Sequence, residues 1–253
     1  MATSVTFSGA LGKPLSGMLE QPVGPARASA LFAHCFTCSK DLRAARRITA
    51  ALAAAGLAAL RFDFTGLGES EGDFSETDVS SNVDDVVAAA DYMRDALGRA
   101  PSLLVGHSLG GAAALLACAR IPECTAVATI GTPADTEHVR HLFGSAEDEI
   151  TRCGEADVVL AGRTFRIKAQ FLDDLAEHAL LRQVRELDRA LLVLHAPDDD
   201  IVAVDNARML FQAARHPKSF VSLGRADHLL SRPADASYAG EVIAVWSQPY
   251  LPA

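Results

Sequence analysis

The stretch Leu103-Leu104-Val105-Gly106-His107-Ser108-Leu109-Gly110-Gly111 passes from an apolar strand-type run into a run of small helix-forming residues, with only Gly-x-Ser-x-Gly between them. A chain makes that passage by a sharp strand-to-helix turn in which the serine takes a strained backbone state. Side chains two residues to either side would collide, and both positions are glycine. Such a turn commits the chain to α/β layering. The rest of the sequence keeps the same alternation. Strand-type runs fall at 5–7, 15–20, 28–33, 57–62, 102–105, 126–130, 190–194 and 220–223, and helical runs at 41–55, 81–97, 109–120, 204–214 and 235–246. The first two strands flank Gly9, Gly12 and Pro14, which reads as an antiparallel hairpin. The remainder implies a mostly parallel eight-stranded sheet with helices on both faces.

One interval breaks the rhythm. Residues 132–188 separate two strands by far more than a crossover helix needs, and they are rich in charge, with a hairpin expected at 158–167 turning at Ala161-Gly162. The segment reads as a cap inserted into a single domain spanning 1–253. With 49% hydrophobic and 22% charged residues the chain has material for a full core, which excludes disorder. A net charge of −9 with no basic stripe argues against nucleic acid and anionic lipid as partners. No charged segment followed by an apolar one opens the chain, and the longest apolar run, 50–60, is too short to span a bilayer. Five cysteines without framework spacing complete an expectation of a cytoplasmic protein with reduced thiols.

The turn also carries chemistry. It lifts the Ser108 hydroxyl above the strand ends at a helix N-terminus, where the Leu109 N–H can meet negative charge on a reacting carbonyl oxygen. Ser108 is the expected nucleophile. In this layering the working residues run in the order serine, acid, histidine. The acid belongs to His195-Ala196-Pro197-Asp198-Asp199-Asp200-Ile201-Val202, where three consecutive aspartates leave the choice open. The base belongs to Arg225-Ala226-Asp227-His228-Leu229-Leu230, after the last strand, and His228 fits by order and loop position. His34, His107 and His195 suit loop hydrogen bonds or packing. The Phe36 N–H, in His34-Cys35-Phe36-Thr37-Cys38-Ser39-Lys40, is the expected second oxyanion donor.

Other patterns have plainer readings. Cys35-x-x-Cys38 lacks the two further ligands of a zinc site; it reads as two small thiols shaping the loop, or as a redox-sensitive loop whose oxidation distorts the oxyanion donors. Glu137, His138 and His141 read as a solvated cap helix. Gly66-x-Gly68 lacks the third glycine of a dinucleotide site and reads as a tight loop with Asp63 and Ser70 as hydrogen-bond partners.

Gly106-His107-Ser108-Leu109-Gly110, Asp63-Phe64-Thr65-Gly66-Leu67-Gly68-Glu69-Ser70 and His195 to Val202 together resemble the α/β-hydrolase superfamily, near its serine-aminopeptidase and monoacylglycerol-lipase-like branch. The family's usual acid turn, H-G-x-x-D-x-x-V, lands on Asp199. Its oxyanion loop usually opens His-Gly, where this chain has His34-Cys35. Phe32 to Asp41, Arg61 to Gly66 and His216 to Leu223 further resemble the hydrolase half of bacterial hydrolase/OsmC fusion proteins. The resemblance implies a serine hydrolase that cleaves carboxylic esters of short acyl or other small groups through Ser108, Asp199 and His228, without metal or organic cofactor. It also implies an OsmC-type domain or partner. Thioester, peptide and peroxide chemistry on the same residues, and an idle docking module for such a partner, are the alternatives.

Overall fold

A computed structural model of the chain describes residues 2–136, 139–140, 143–160 and 162–252. Its main sheet has eight strands: β1 (Ala2–Ser8), β2 (Pro14–Glu20), β3 (Ala28–Ala33), β4 (Leu57–Phe62), β5 (Leu103–His107), β6 (Ala126–Ile130), β9 (Ala190–His195) and β10 (Lys218–Ser222). They lie in the order β1-β2-β4-β3-β5-β6-β9-β10. β1 pairs antiparallel with β2, and β2 with β4; every other pairing in this sheet is parallel. β3, β4, β5, β6 and β9 are buried along their whole length. Their alternate residues serve two separate cores: Leu31 and Ala33 face one, Ala30 and Phe32 the other. A strand that must bury both faces carries apolar residues throughout, the pattern these segments show.

Helices α1 (Arg43–Ala54) and α8 (Pro233–Ser247) cover one face, and α2 (Val79–Leu97) and α3 (Leu109–Ala117) the other. α2 starts two residues before the sequence expectation. The Asp78 side chain accepts from the Ser81 N–H while Ser81 Oγ accepts from the Asp78 N–H, a reciprocal cap that sets the start. α3 is shorter than expected, giving way at Cys118 to a single tighter turn. α8 opens at Pro233, whose missing N–H costs nothing in a first turn.

Between β6 and β9 stand α4 (Ala146–Cys153), a separate hairpin of β7 (Glu155–Leu160) and β8 (Arg163–Lys168), then α5 (Ala169–Glu177) and α6 (Leu180–Glu186). The hairpin is longer than the expected 158–167, and Ala161 of its turn lies outside the described residues, as do Glu137, His138 and His141. Phe165, Ile167, Phe171 and Leu175 of this segment join the core that contains α2 and α3. A polar tie supplements them: the Ser80 N–H and Oγ both donate to Asp174, and His178 Nε2 lies 3.2 Å from each partner. α7 (Asp205–Ala213) links β9 to β10. Among the described residues, no helix is long and apolar enough to cross a membrane.

Candidate active site

β5 ends at His107, and Ser108 turns the chain into α3 at φ 55° and ψ −127°. That backbone region is costly for any residue with a side chain, and such strain clusters at functional sites. The turn is held by the Ser108 N–H donating to Ile130 O at 2.8 Å and the Gly111 N–H to Ser108 O at 2.9 Å. It admits no side chains at its flanks. A Cβ on Gly106 would stand 2.4 Å from Gly110 O, and one on Gly110 would stand 2.2 Å from His34 O. The second contact brings the loop after β3 directly onto the start of α3. Among the described residues, neither the Phe36 nor the Leu109 N–H donates to a protein acceptor. Both sit where the loop and the helix N-terminus meet.

Asp199, in the turn after β9, is buried between exposed Asp198 and Asp200. Its Oδ1 accepts the N–H groups of Ile201 at 3.0 Å and Val202 at 2.8 Å. His228 Nδ1, after β10, lies 2.8 Å from Asp199 Oδ2 and 3.1 Å from Oδ1. Burial works to raise the Asp199 carboxyl, but the hydrogen bonds from His228, Val202 and Ile201 outweigh it and hold the pKa below the ordinary value. An ionised carboxylate accepts a hydrogen bond from the Nδ1–H of a neutral imidazole and so leaves the Nε2 lone pair free. No hydrogen bond joins His228 to Ser108 Oγ among the described residues; in unliganded hydrolytic sites that contact is often long and tightens with substrate.

Three buried histidines brace this arrangement. His107 Nε2 donates to His228 O at 2.7 Å, fixing the loop that carries the imidazole. His195 Nε2 donates to Val202 O at 2.8 Å, closing the aspartate turn. His34 Nδ1 donates to Cys35 O at 2.8 Å. Burial depresses all three, His107 to about 3, so they remain neutral.

The expectation of reduced thiols is corrected at one pair: Cys35 and Cys38 form a disulfide. Spacing alone did not reveal it, because Cys-x-x-Cys suits reduced and bonded pairs alike; Thr37, between the two, stands at φ 67°. The two Cα atoms lie 5.5 Å apart, within bonding range. Both sulfurs are thereby committed, which also removes them as zinc thiolates. Cys118, Cys124 and Cys153 are free.

A family model described as serine aminopeptidase, S33, matches residues 24–152. The chain belongs to this family of α/β-hydrolases. The match takes in the 34–40 loop and the Ser108 turn and stops before Asp199 and His228. The esterase domain of a Rhodothermus marinus protein is 49% identical, and the two superimpose over 100% of each chain at a TM-score of 0.82. A Rattus norvegicus mitochondrial protein, palmitoyl-protein thioesterase ABHD10, is 29% identical over 188 residues, 71% of this chain. The chain spans 62% of that relative's length. The structure of mouse alpha/beta hydrolase domain-containing protein 10 covers 98% of the chain at 23% identity and a TM-score of 0.77, a likeness of fold.

Lys40 and Gly131, which shape the candidate site, were not singled out from the sequence, whereas Asp63 and Ser70 were, as hydrogen-bond partners. Lys40 is buried with its Nζ 2.9 Å from Asp63 Oδ2 and 2.7 Å from Glu69 Oε2, and its N–H donates to Asp63 Oδ1 at 2.5 Å. Asp63 Oδ2 also accepts the Glu69 N–H at 2.9 Å, and Ser70 Oγ donates to Asp63 O at 2.5 Å. The glycine-broken loop is thus clamped to the 34–40 loop. Gly131, at φ 54°, ends β6 so close to the pair that a Cβ would lie 3.2 Å from Asp199 Oδ2 and 3.3 Å from the His228 ring. A glycine directly after a buried strand was the available signal.

Proposed function

We propose that the chain hydrolyses carboxylic esters of small acyl groups through an acyl-enzyme on Ser108. His228 Nε2 takes the hydroxyl proton as Oγ attacks the carbonyl, and Asp199 holds the imidazole and balances its charge. The Phe36 and Leu109 N–H groups receive the oxyanion. The imidazolium then protonates the leaving alcohol, and water repeats the cycle to free the acid. The observation that carries this reading is the Asp199–His228 hydrogen bond, built at the strand ends where a strained serine opens a helix.

Small acyl groups are favoured by what surrounds Phe36. Its ring packs on Phe74 at 5.3 Å and on Phe171 at 5.4 Å, and Phe74 packs on Phe165 at 5.0 Å. A long acyl chain has to displace these rings. The palmitoyl-protein thioesterase relatives support thioesters as a second class of substrate for the same machinery.

Hydrolysis of p-nitrophenyl esters from acetate to palmitate, beside the matching acyl thioesters, tests this reading. Wild type is expected to turn over the short esters fastest. Asp199→Asn is expected to lose about 10⁴-fold in kcat, as when an imidazole is left in the wrong tautomer. Equal rates for wild type and Ser108→Ala contradict the mechanism; a palmitoyl optimum contradicts the acyl-size reading alone.

A further inference from the structure

We propose that the Cys35–Cys38 disulfide is a thiol–disulfide exchange site, through which a dithiol reductant turns down the adjoining hydrolytic site. The inference rests on the hydrolase reading above and adds control of that site by the redox state of one loop.

The loop is anchored at both ends and covalently closed between them. At its start, His34 O is pressed against Gly110 so tightly that a Cβ would come within 2.2 Å. At its end, Lys40 is held by Asp63 through both its N–H and its ammonium. Only the residues between can move, and the disulfide spans them. Phe36 and Thr37 are the two residues enclosed by the bonded sulfurs, so the bond holds the very segment that presents the Phe36 N–H.

Thr37 is the sensitive element. A β-branched residue at φ 67° persists only where its surroundings over-determine it. Without the disulfide, the turn keeps the Cys38 N–H to Cys35 O hydrogen bond at 3.1 Å, the His34 Nδ1–H to Cys35 O bond at 2.8 Å, the packing of the Phe36 ring on Phe74 and Phe171, and, at Thr37 itself, a long contact from Arg163 to its carbonyl oxygen at 3.4 Å. Released, Thr37 relaxes to negative φ, and the Phe36 N–H swings away from the Leu109 N–H. The oxidised loop is the active one. Oxidation orders the oxyanion donors and reduction loosens them, the reverse of the distortion expected from sequence.

Access favours attack at one sulfur. Cys38 is half-buried, whereas Cys35 is buried. A thiolate of the dithiol attacks Cys38 Sγ, forming a mixed disulfide, and Cys35 Sγ leaves as a thiolate. The reductant's second thiolate then attacks its own sulfur in the mixed disulfide and expels Cys38 Sγ. The dithiol ends as its cyclic disulfide, two electrons have passed to the protein, and Cys35 and Cys38 take up the two protons.

Dithiothreitol serves as the dithiol, removed by desalting before p-nitrophenyl acetate is added, because it cleaves that ester itself. The redox state is read separately, by the mass gained on alkylation. The untreated protein is expected to show the 35–38 pair closed. The reduced protein is expected to lose at least about tenfold in kcat with KM nearly unchanged, and at most the roughly 10²–10³-fold cost of losing one oxyanion donor. Reoxidation restores the rate. Cys35→Ser/Cys38→Ser sits at the reduced level and ignores dithiothreitol, and adding Thr37→Gly, which accepts positive φ freely, restores part of the rate because the released turn is no longer driven to negative φ. Equal kcat from protein shown by mass to be oxidised and reduced overturns the redox proposal alone. Full activity with both thiols alkylatable before treatment does the same. Oxidised protein that is silent toward every ester, with Ser108 unreactive to a fluorophosphonate, contradicts the hydrolase reading and this proposal with it.

Discussion

Among the described residues, the non-glycine positions with positive φ are Thr37, Ser108 and Leu230, and all three lie within two residues of Phe36, Ser108 or His228. Backbone strain in this chain is concentrated on the proposed chemistry. At Ser108 it has a measurable consequence, because glycine adopts φ 55° without a Cβ penalty. Ser108→Gly is expected to raise unfolding stability by about 1–3 kcal/mol in urea titrations while abolishing ester hydrolysis. A stability loss contradicts the strained reading of the turn. The placement of Ser108 on the strand-to-helix turn and of His228 after the last strand was legible from residue order and loop position. Asp199 was not legible against its two neighbours from residue type alone. The family's acid-turn pattern selected it, and burial now separates it from exposed Asp198 and Asp200. The disulfide escaped because the same Cys-x-x-Cys spacing suits reduced and bonded pairs alike.

At the scale of elements, the buried Lys40–Asp63 pair joins the loop after β3 to the loop after β4. Burial works to lower the Lys40 pKa, but hydrogen bonds to Glu69 and Asp63 prevail and raise it, so the ammonium stays charged. Replacing Lys40 by methionine leaves Asp63 buried without its counter-charge. Such a loss typically costs about 3–5 kcal/mol. Lys40→Met is therefore expected to lower the unfolding midpoint strongly and to reduce kcat, whereas Glu69→Gln, at the exposed end, changes stability by less than about 1 kcal/mol. Similar midpoints for the two variants contradict the clamp. The strands and helices themselves were readable, since apolar runs and glycine stops are local signals. Boundaries moved by a few residues where a side chain such as Asp78 or Pro233 sets the cap. The hairpin of the 132–188 segment was readable in outline; its packing on Phe36 and Ser80 was not, because those contacts join residues far apart in the chain.

For the whole molecule, burial on both faces made an eight-strand, mostly parallel sheet legible, while the order in which the strands lie depends on crossovers that composition does not encode. The buried neutral histidines give the fold a pH dependence. Desolvation lowers His34, His107 and His195 below the unfolded value, so the unfolded chain binds more protons as pH falls below about 6.5. Stability is fully present above that pH and is lost on acidification, for His107 until about 3. Asp199, held low, adds a loss below about 4. Asp85, raised chiefly by its own burial, works in the opposite sense above about 4, up to its raised pKa. Denaturant titrations from pH 7 to pH 4 are expected to show falling stability. His107→Gln, which keeps a donor toward His228 O, is expected to flatten that fall by about 1.4 kcal/mol per pH unit within the window. An unchanged slope contradicts a neutral buried His107.

The most direct test of the central claim is reaction of the native protein with a fluorophosphonate, followed by mass mapping of the adduct. The expected result is one phosphonyl group on the Ser108 peptide, formed rapidly by wild type, slowly by His228→Ala and not at all by Ser108→Ala. Absence of an adduct from folded wild-type protein, or an adduct on another residue with Ser108 free, contradicts the assignment of Ser108 as the nucleophile.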